Sequence, residues 1–246
     1  MSHNNFYRSF VEYYPEIFPF SPKTYEFLRE FTPHESRRIL DAGCGTGDYA
    51  AQYQKDGFKA TGFDLDENMI HYARSHFPDA EFFCLDLRDI TRLNNKFDMI
   101  FSIGNTVSHL PQAEFLSFAA DVFQILNPGG RWIFQVKNWD HIFNQAPEYQ
   151  FPVITAQNEQ VKFFRRYASI SPKEVTFLSR LEDRGEVVFQ GEVKLHPIRN
   201  EDYLTIHHRM GFKLSGHFAD FSKAPYDKSL DSANIFIFTK PSNLSA

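Results

Sequence analysis

The sequence predicts an α/β protein built on a parallel sheet, one domain over residues 1–246 with an antiparallel insertion at 138–198. Three observations carry this. Between residues 36 and 137, short apolar runs alternate with helical patterns, the signature of βα units. A glycine turn, Gly43-Cys44-Gly45-Thr46-Gly47, stands where the first run meets the first helical pattern. The 246 residues are 42% hydrophobic and carry a net charge of only −5, which supports a packed core and excludes a disordered chain.

Residues 1–35 are interrupted by Pro15, Pro19, Pro22 and Pro33 and read as short helices separated by turns. Ten aromatic residues, six Phe and four Tyr, fall within residues 1–38, which marks this segment as an aromatic helical cover. The apolar runs that follow are Arg38–Asp41, Lys59–Asp64, Glu81–Leu85, Met99–Ile103 and Arg131–Val136. Before the last of them comes a clear helix. Pro111 suits its first turn, and Phe115, Leu116, Ala119, Val122, Phe123 and Leu126 are read as its buried face. Asn127-Pro128-Gly129-Gly130 stops that helix and turns the chain into the next strand. Segments 151–157, 161–170, 174–182 and 186–195 are rich in β-branched and aromatic residues. Turn signals at Asn158, Ser171-Pro172 and Asp183-Arg184-Gly185 separate them, which predicts antiparallel strands. A helix from Glu201 to Met210, capped by Gly211, then precedes strands near Phe212–Phe218 and Ala233–Thr239.

Two cysteines, Cys44 and Cys84, cannot build a disulfide framework, so a reduced cytoplasmic setting is expected. No window approaches eighteen apolar residues, so no membrane span is expected, and the mildly acidic balance argues against a nucleic-acid partner. No His, Cys or carboxylate cluster has metal-ligand spacing, so no metal is expected; the adjacent His207 and His208 splay apart on a helix.

The glycine turn carries the functional signal. Gly43, Gly45 and Gly47 let the backbone turn tightly and approach a ligand. Asp64 ends the second run seventeen residues beyond Gly47, where a doubly wound sheet places an acid for ribose hydroxyls. Together these describe an adenosine-containing ligand at the switch point of the sheet. The spacing is G-x-G-x-G, preceded by Asp41, rather than the dinucleotide G-x-G-x-x-G. An acid is unwelcome beside pyrophosphate and welcome beside an ammonium, so S-adenosylmethionine fits better than a nicotinamide dinucleotide.

Residues 39–50, 62–70, 81–87, 97–110 and 126–136 resemble the successive motifs of class I S-adenosylmethionine-dependent methyltransferases. The resemblance implies a Rossmann-like sheet of seven strands in the order 3-2-1-4-5-7-6, the last strand antiparallel. It implies that Asp41 and Gly43, Cys44, Gly45 and Gly47 hold the methionine part of the cofactor, Asp64 the ribose, and Asp86 with Leu87 the adenine. Leu65, Met69, Ser102 and Gly104 are assigned to the same site, with core packing as the alternative for Met69 and a turn cap for Asp86. Cys44 is read as a small packing residue of the loop, not as a thiolate. Related methyltransferases often begin with a tyrosine-bearing helix over the cofactor. Tyr7 and Tyr14 share a helix face and are assigned to it, Tyr14 toward the cofactor and Tyr7 toward the substrate.

On the acceptor side, Gly104-Asn105 replaces the Asn/Asp-Pro-Pro-aromatic turn of enzymes that act on DNA bases or glutamine. The Gly-Asn…His-Leu pattern, followed by Val136-Lys137-Asn138-Trp139-Asp140, resembles the glycine and sarcosine N-methyltransferase branch. That resemblance places Asn138 beside the acceptor amine as a catalytic and substrate-binding residue, with Asn105 also facing substrate. It implies an arginine for a substrate carboxylate. Arg165 and Arg166 are nearest by type, strand alternation lets at most one face the cleft, and Arg166 is the expectation. His109 is read as packing under the helix at Pro111 rather than as a base. The expected activity is methyl transfer to a small-molecule acceptor, at an amine nitrogen, by a monomer or a homo-oligomer formed through the insertion. A non-catalytic cofactor-binding module and a nicotinamide-dependent oxidoreductase are the alternatives.

Overall fold

A computed structural model describes residues 11–144, 148–157 and 159–242. In chain order the first elements are α1 (Tyr14–Ile17), α2 (Pro22–Glu30), β1 (Arg38–Ala42), α3 (Asp48–Lys55), β2 (Lys59–Asp64), α4 (Glu67–His76) and β3 (Glu81–Cys84). A 3-10 helix (Leu87–Leu93), β4 (Phe97–Ser102), a second 3-10 helix (Thr106–His109), α5 (Gln112–Ile125) and β5 (Leu126–Lys137) complete the first half. Then come α6 (Trp139–Ile142), β6 (Tyr149–Gln150), β7 (Ile154–Ala156), β8 (Val161–Ala168), β9 (Val175–Asp183) and β10 (Glu186–Leu195). The described chain closes with α7 (Asn200–Arg209), β11 (Lys213–Phe218) and β12 (Ala233–Thr239).

Seven strands form one sheet in the order β11-β12-β5-β4-β1-β2-β3. This is the order expected from the motif resemblance. β1 lies parallel to β2 and β4, while β12 runs antiparallel between β5 and β11. Helices cover both faces, so the central strands are continuous apolar runs; Ile39, Leu40, Ile100, Phe101, Ile133 and Phe134 are all buried. The chain leaves β1 toward β2 and β3 and later returns to β4 on the other side. That reversal opens a crevice at the carboxyl ends of β1 and β4, the place where such sheets bind ligands.

One expectation for a helix is corrected. Along α5 the buried face is Phe115, Phe118, Ala119, Val122 and Ile125, whereas Leu116 is 48% exposed. A rotation of about 100° per residue carries Leu116 off the stripe that Phe115 begins. Phe123 packs at the margin of that face, edge-on to Phe212 at 4.8 Å. α7 ends as expected, with Gly211 in the left-handed region just past its last turn.

A second, antiparallel sheet has the order β10-β9-β8-β6, with β7 also on β8. Its inner face alternates along β8: Val161, Phe163 and Tyr167 are buried, and Lys162 and Arg166 are exposed. The buried residues form one cluster with Ile17 of α1 and with Trp139 and Ile142 of α6. The turn residue Asn158 lies outside the described residues. Beneath the seven-stranded sheet, the His207 ring stacks on Phe238 at 4.0 Å. Trp132 Nε1 donates to its Nε2 at 3.1 Å, so Nδ1 carries the proton and donates to the Tyr203 carbonyl at 2.7 Å. His207 is thereby a core residue, and burial pushes it down to about 4. Among the described residues no helix is long and apolar enough to cross a membrane, and no group of His, Cys, Asp and Glu could hold a metal ion.

Candidate functional site

A cavity of about 460 Å³ opens at the carboxyl ends of β1, β2 and β4. One wall is the seven-stranded sheet and its loops; the other is the inner face of the second sheet, with α1 at the margin.

The loop after β1 is shaped by backbone bonds that its own sequence permits. Gly43 N and Cys44 N both donate to the Phe63 carbonyl, at 2.8 and 2.9 Å. Gly43 has φ +82°, and a Cβ there would lie 2.3 Å from the Thr106 methyl, so this position needs glycine twice over. Gly45 N donates to Asp64 Oδ2 at 2.9 Å, while Asp64 Oδ1 accepts from Asp66 N at 3.0 Å. The ring of Tyr14 sits over Gly45, within 3.3 Å of where a Cβ would be. Gly47 differs from its neighbours. It does not line the cavity; it starts α3 against the Phe82 ring, so its role is packing.

The sheet-side wall is acidic. Asp41 is 2% exposed, and its Oδ2 has no hydrogen-bond partner. Burial, reinforced by the charges of Asp64 and Asp48, holds the Asp41 carboxyl well above the usual carboxylate range. Burial also raises Asp64, against the backbone bonds from Asp66 and Gly45 that lower it. Asp86 caps the 3-10 helix through Arg88 N and receives the Arg88 guanidinium on both oxygens, at 2.8 and 2.9 Å. Leu65, Met69, Leu87 and Gly104 line the cavity as expected, Met69 almost wholly buried. Cys44 lines it too, its thiol pushed up by burial and by Asp41. Thr46, Asp48 and Tyr49, which sequence reasoning did not single out, complete this wall.

Several expectations are corrected on the remaining side. Ser102 is 1% exposed and donates to the Ala42 carbonyl at 2.7 Å; it ties β4 to β1 and does not line the cavity. Asn138 is wholly buried outside the cavity. Its Nδ2 donates to the Lys228 and Asp231 carbonyls at 2.8 Å each, and its Oδ1 accepts from Asn200 Nδ2 and from His141 N. With every amide position engaged, Asn138 clamps α6 to the 228–231 turn. Asn200 Nδ2 also donates to the Tyr226 hydroxyl, which extends the clamp. Arg166 points outward and pairs with Glu148 at 3.3 Å; its neighbour Arg165 faces the cavity, on the same parity as Phe163 and Tyr167. Asn105 does line the cavity. Its Oδ1 accepts from Ser108 Oγ at 2.8 Å and Lys137 N at 2.9 Å, which leaves its amide N–H groups for the cavity. His109 lines the cavity as well. Tyr7 lies outside the described residues.

Sequence reasoning also missed Lys137, whose side chain reaches the cavity from the end of β5. Burial and the nearby Arg165 charge lower it to about 8. The signal was available: a cation at the carboxyl end of a central strand, directly after the apolar run that ends in Val136.

Comparison with known proteins agrees with this geometry. Residues 39–130, from β1 into β5, match the family model described as a methyltransferase domain. Residues 39–130 form a methyltransferase domain, and the chain is an S-adenosylmethionine-dependent methyltransferase. YqeM of Bacillus subtilis (strain 168), which bears a methyltransferase name, is 26% identical over 244 residues and covers 94% of this chain and 95% of its own. A dTDP-3-amino-3,4,6-trideoxy-alpha-D-glucopyranose N,N-dimethyltransferase of Streptomyces venezuelae is 36% identical over 106 residues, 43% of this chain and 44% of that protein. Among solved structures, an S-adenosylmethionine-dependent methyltransferase from Clostridium acetobutylicum ATCC 824 superposes with a TM-score of 0.80 at 16% identity, covering 96% and 99% of the two chains. The cofactor of this methyltransferase is S-adenosylmethionine.

Proposed function

We propose that this methyltransferase moves a methyl group from S-adenosylmethionine to a small-molecule acceptor, at an amine nitrogen. The observation that carries the donor side is the Asp41 carboxyl, buried at the glycine loop with one oxygen unpartnered. A buried acid without a hydrogen bond is costly, and an ammonium group placed there satisfies it and returns it to its charged form. The methionine end of the cofactor carries such a group. Asp64 then faces the ribose, while Met69 and Leu87, with Asp86 held by Arg88, frame the adenine. Gly43 and Gly45 keep the loop open to the donor, and Tyr14 lies across it.

When bound, the cofactor supplies an already activated methyl group, so the protein's task is alignment and exclusion of water. Asn105 is positioned by Ser108 and by the backbone of Lys137 to present its amide N–H groups to the acceptor. The aromatic side chains of the second sheet close the far wall and keep the site dry. Nitrogen is favoured as acceptor by the relative named as an N,N-dimethyltransferase of an amino sugar. A cytoplasmic setting, with Cys44 and Cys84 as free thiols, belongs to this reading.

The test is a labelled-methyl transfer screen against amine, phenol and carboxylate metabolites, run beside calorimetry with S-adenosylmethionine. Micromolar donor binding with label appearing on an amine is expected. Donor binding with no transfer to any acceptor supports the non-catalytic module instead, and transfer to phenols alone moves the acceptor atom to oxygen.

A further inference from the structure

The wall of the cavity built by the end of β5 and the second sheet carries two cations and no acid. Lys137 reaches it from the end of β5, and Arg165 from the inner face of β8. Both flank the Phe151 ring, with Lys137 Nζ 5.0 Å and the Arg165 guanidinium carbon 5.1 Å from its centroid. Neither side chain has a carboxylate partner among the described residues, whereas Arg166 pairs with Glu148 and Arg180 with Glu182 on the outer side of the second sheet. Arg165 gives one N–H to the Pro152 carbonyl at 3.1 Å, but its Nε is buried with no hydrogen-bond partner. Phe18 and Phe163 complete an apolar surround for the guanidinium.

This arrangement is expensive for the protein alone. Two like charges are brought together and largely stripped of water, with aromatic faces and the Pro152 carbonyl as attractive neighbours and no carboxylate among the described residues. Burial and the Arg165 charge lower Lys137, and burial lowers Arg165. A purely structural cation at either place would have found an acid, as Arg88 and Arg199 do with Asp86 and Asp140. What the pair lacks is one anion, and the cavity is where it would come from.

We propose that Lys137 and Arg165 form an anion subsite for the methyl acceptor, and that the acceptor is a small organic acid with an apolar or aromatic body. Its carboxylate or phosphate monoester bridges the two cations. Its body lies against Phe151, Phe163 and Tyr167, and its nucleophilic atom points back toward Asn105 and the donor. Lys137 belongs to the seven-stranded sheet and Arg165 to the second sheet, so the acid also ties the two walls together. The proposal rests on the methyltransferase reading for the direction of the acceptor, while the anion site stands on its own geometry.

Benzoate, phenyl phosphate and the neutral isostere benzamide are the probes, titrated by calorimetry into the protein saturated with S-adenosylhomocysteine. An acid is expected to bind at least tenfold more tightly than benzamide, and the ratio of benzoate to phenyl phosphate says which headgroup the site prefers. Lys137→Met and Arg165→Met are each expected to lower that affinity at least tenfold, with donor affinity changed less than twofold. Arg166→Met is the control and leaves it unchanged. Arg165→Lys, which keeps the charge and most of the volume, restores part of the loss and covers the case in which Arg165→Met does not fold. Equal binding of the acids and benzamide, or undiminished acid binding in both folded methionine variants, overturns the proposal. A protein that fails to bind S-adenosylmethionine yet still binds benzoate overturns the donor reading and leaves the anion subsite standing.

Discussion

The two halves of the cavity are opposites in charge, in origin and in how they are held. The glycine-loop half, proposed for the donor, presents Asp41, Asp48, Asp64, Asp66 and Asp86 from loops at consecutive strand ends. The other half, proposed for the acceptor, presents Lys137 and Arg165 among Phe151, Phe163 and Tyr167. The first is self-contained: Asp64 receives Gly45 N and Asp66 N, and Asp86 receives Arg88, so most of its acids are engaged before any ligand arrives. The second is unfinished, with two cations lacking an anion. A cationic donor and an anionic acceptor would each be drawn to its own half, and the polarity orients both along the cavity without a moving part.

The strongest way to break this division is Asp64→Ala. It removes a charged acceptor of two backbone N–H groups and opens the glycine loop, so about a 100-fold loss of S-adenosylmethionine affinity is expected, or ~3 kcal/mol. Benzoate affinity should stay within twofold; a comparable loss of both would show that the halves are not independent. Calorimetry with each ligand reads this directly.

Asn138→Ala tests scaffolding against site. Removing the amide takes the side-chain donor from the Lys228 and Asp231 carbonyls and the acceptor from His141 N, and leaves Asn200 Nδ2 with Tyr226 alone, so ~2–3 kcal/mol of stability should be lost by urea denaturation. Donor affinity is expected to be unchanged at a temperature where the variant is folded.

The core under both halves gives a smaller, graded effect. His207 is held at about 4 in the folded protein against about 6.5 when unfolded, so below pH 6.5 the unfolded chain takes up a proton that the folded one refuses. Its contribution is therefore intact above pH 6.5 and lost as pH falls toward 4, at no more than ~1.4 kcal/mol per pH unit. Urea midpoints measured at half-unit steps should show this slope in the wild type and lose that component in His207→Gln. Arg166→Ala should have the least effect, within ~0.5 kcal/mol of stability, because its ion pair with Glu148 is exposed.

The same contrast explains what the amino-acid sequence made legible. The donor half is written locally: glycines at 43 and 45, with Asp41 before them and Asp64 at the next strand end, produce their geometry wherever a strand, a turn and a helix follow each other. Nearly all strand positions were readable for the same reason, whereas the sheet order came from the motif resemblance. The acceptor half depends on how two sheets face each other, which no local pattern encodes. Phe164 hides the alternation of β8, because an outward phenylalanine, covered by Arg180 at 4.6 Å, stands beside an inward one. One residue of parity then decides between Arg165 and Arg166. Asn138 was misplaced for a different reason. An asparagine just after a strand end serves equally as a ligand group or as a helix cap, and here the 228–231 turn, some ninety residues away, takes its side chain.

The position of β12 has a consequence for biosynthesis. β5 pairs along its outer edge from Arg131 to Lys137 with a strand that follows it by about a hundred residues, and the Gly129–Gly130 turn is closed by Lys240. While a ribosome is still adding the second sheet and α7, the strand that carries Lys137 has one row of backbone groups unmatched. During that interval β5 is an open edge, prone to pair with another nascent chain and guarded chiefly by the cations at its two ends, Arg131 and Lys137.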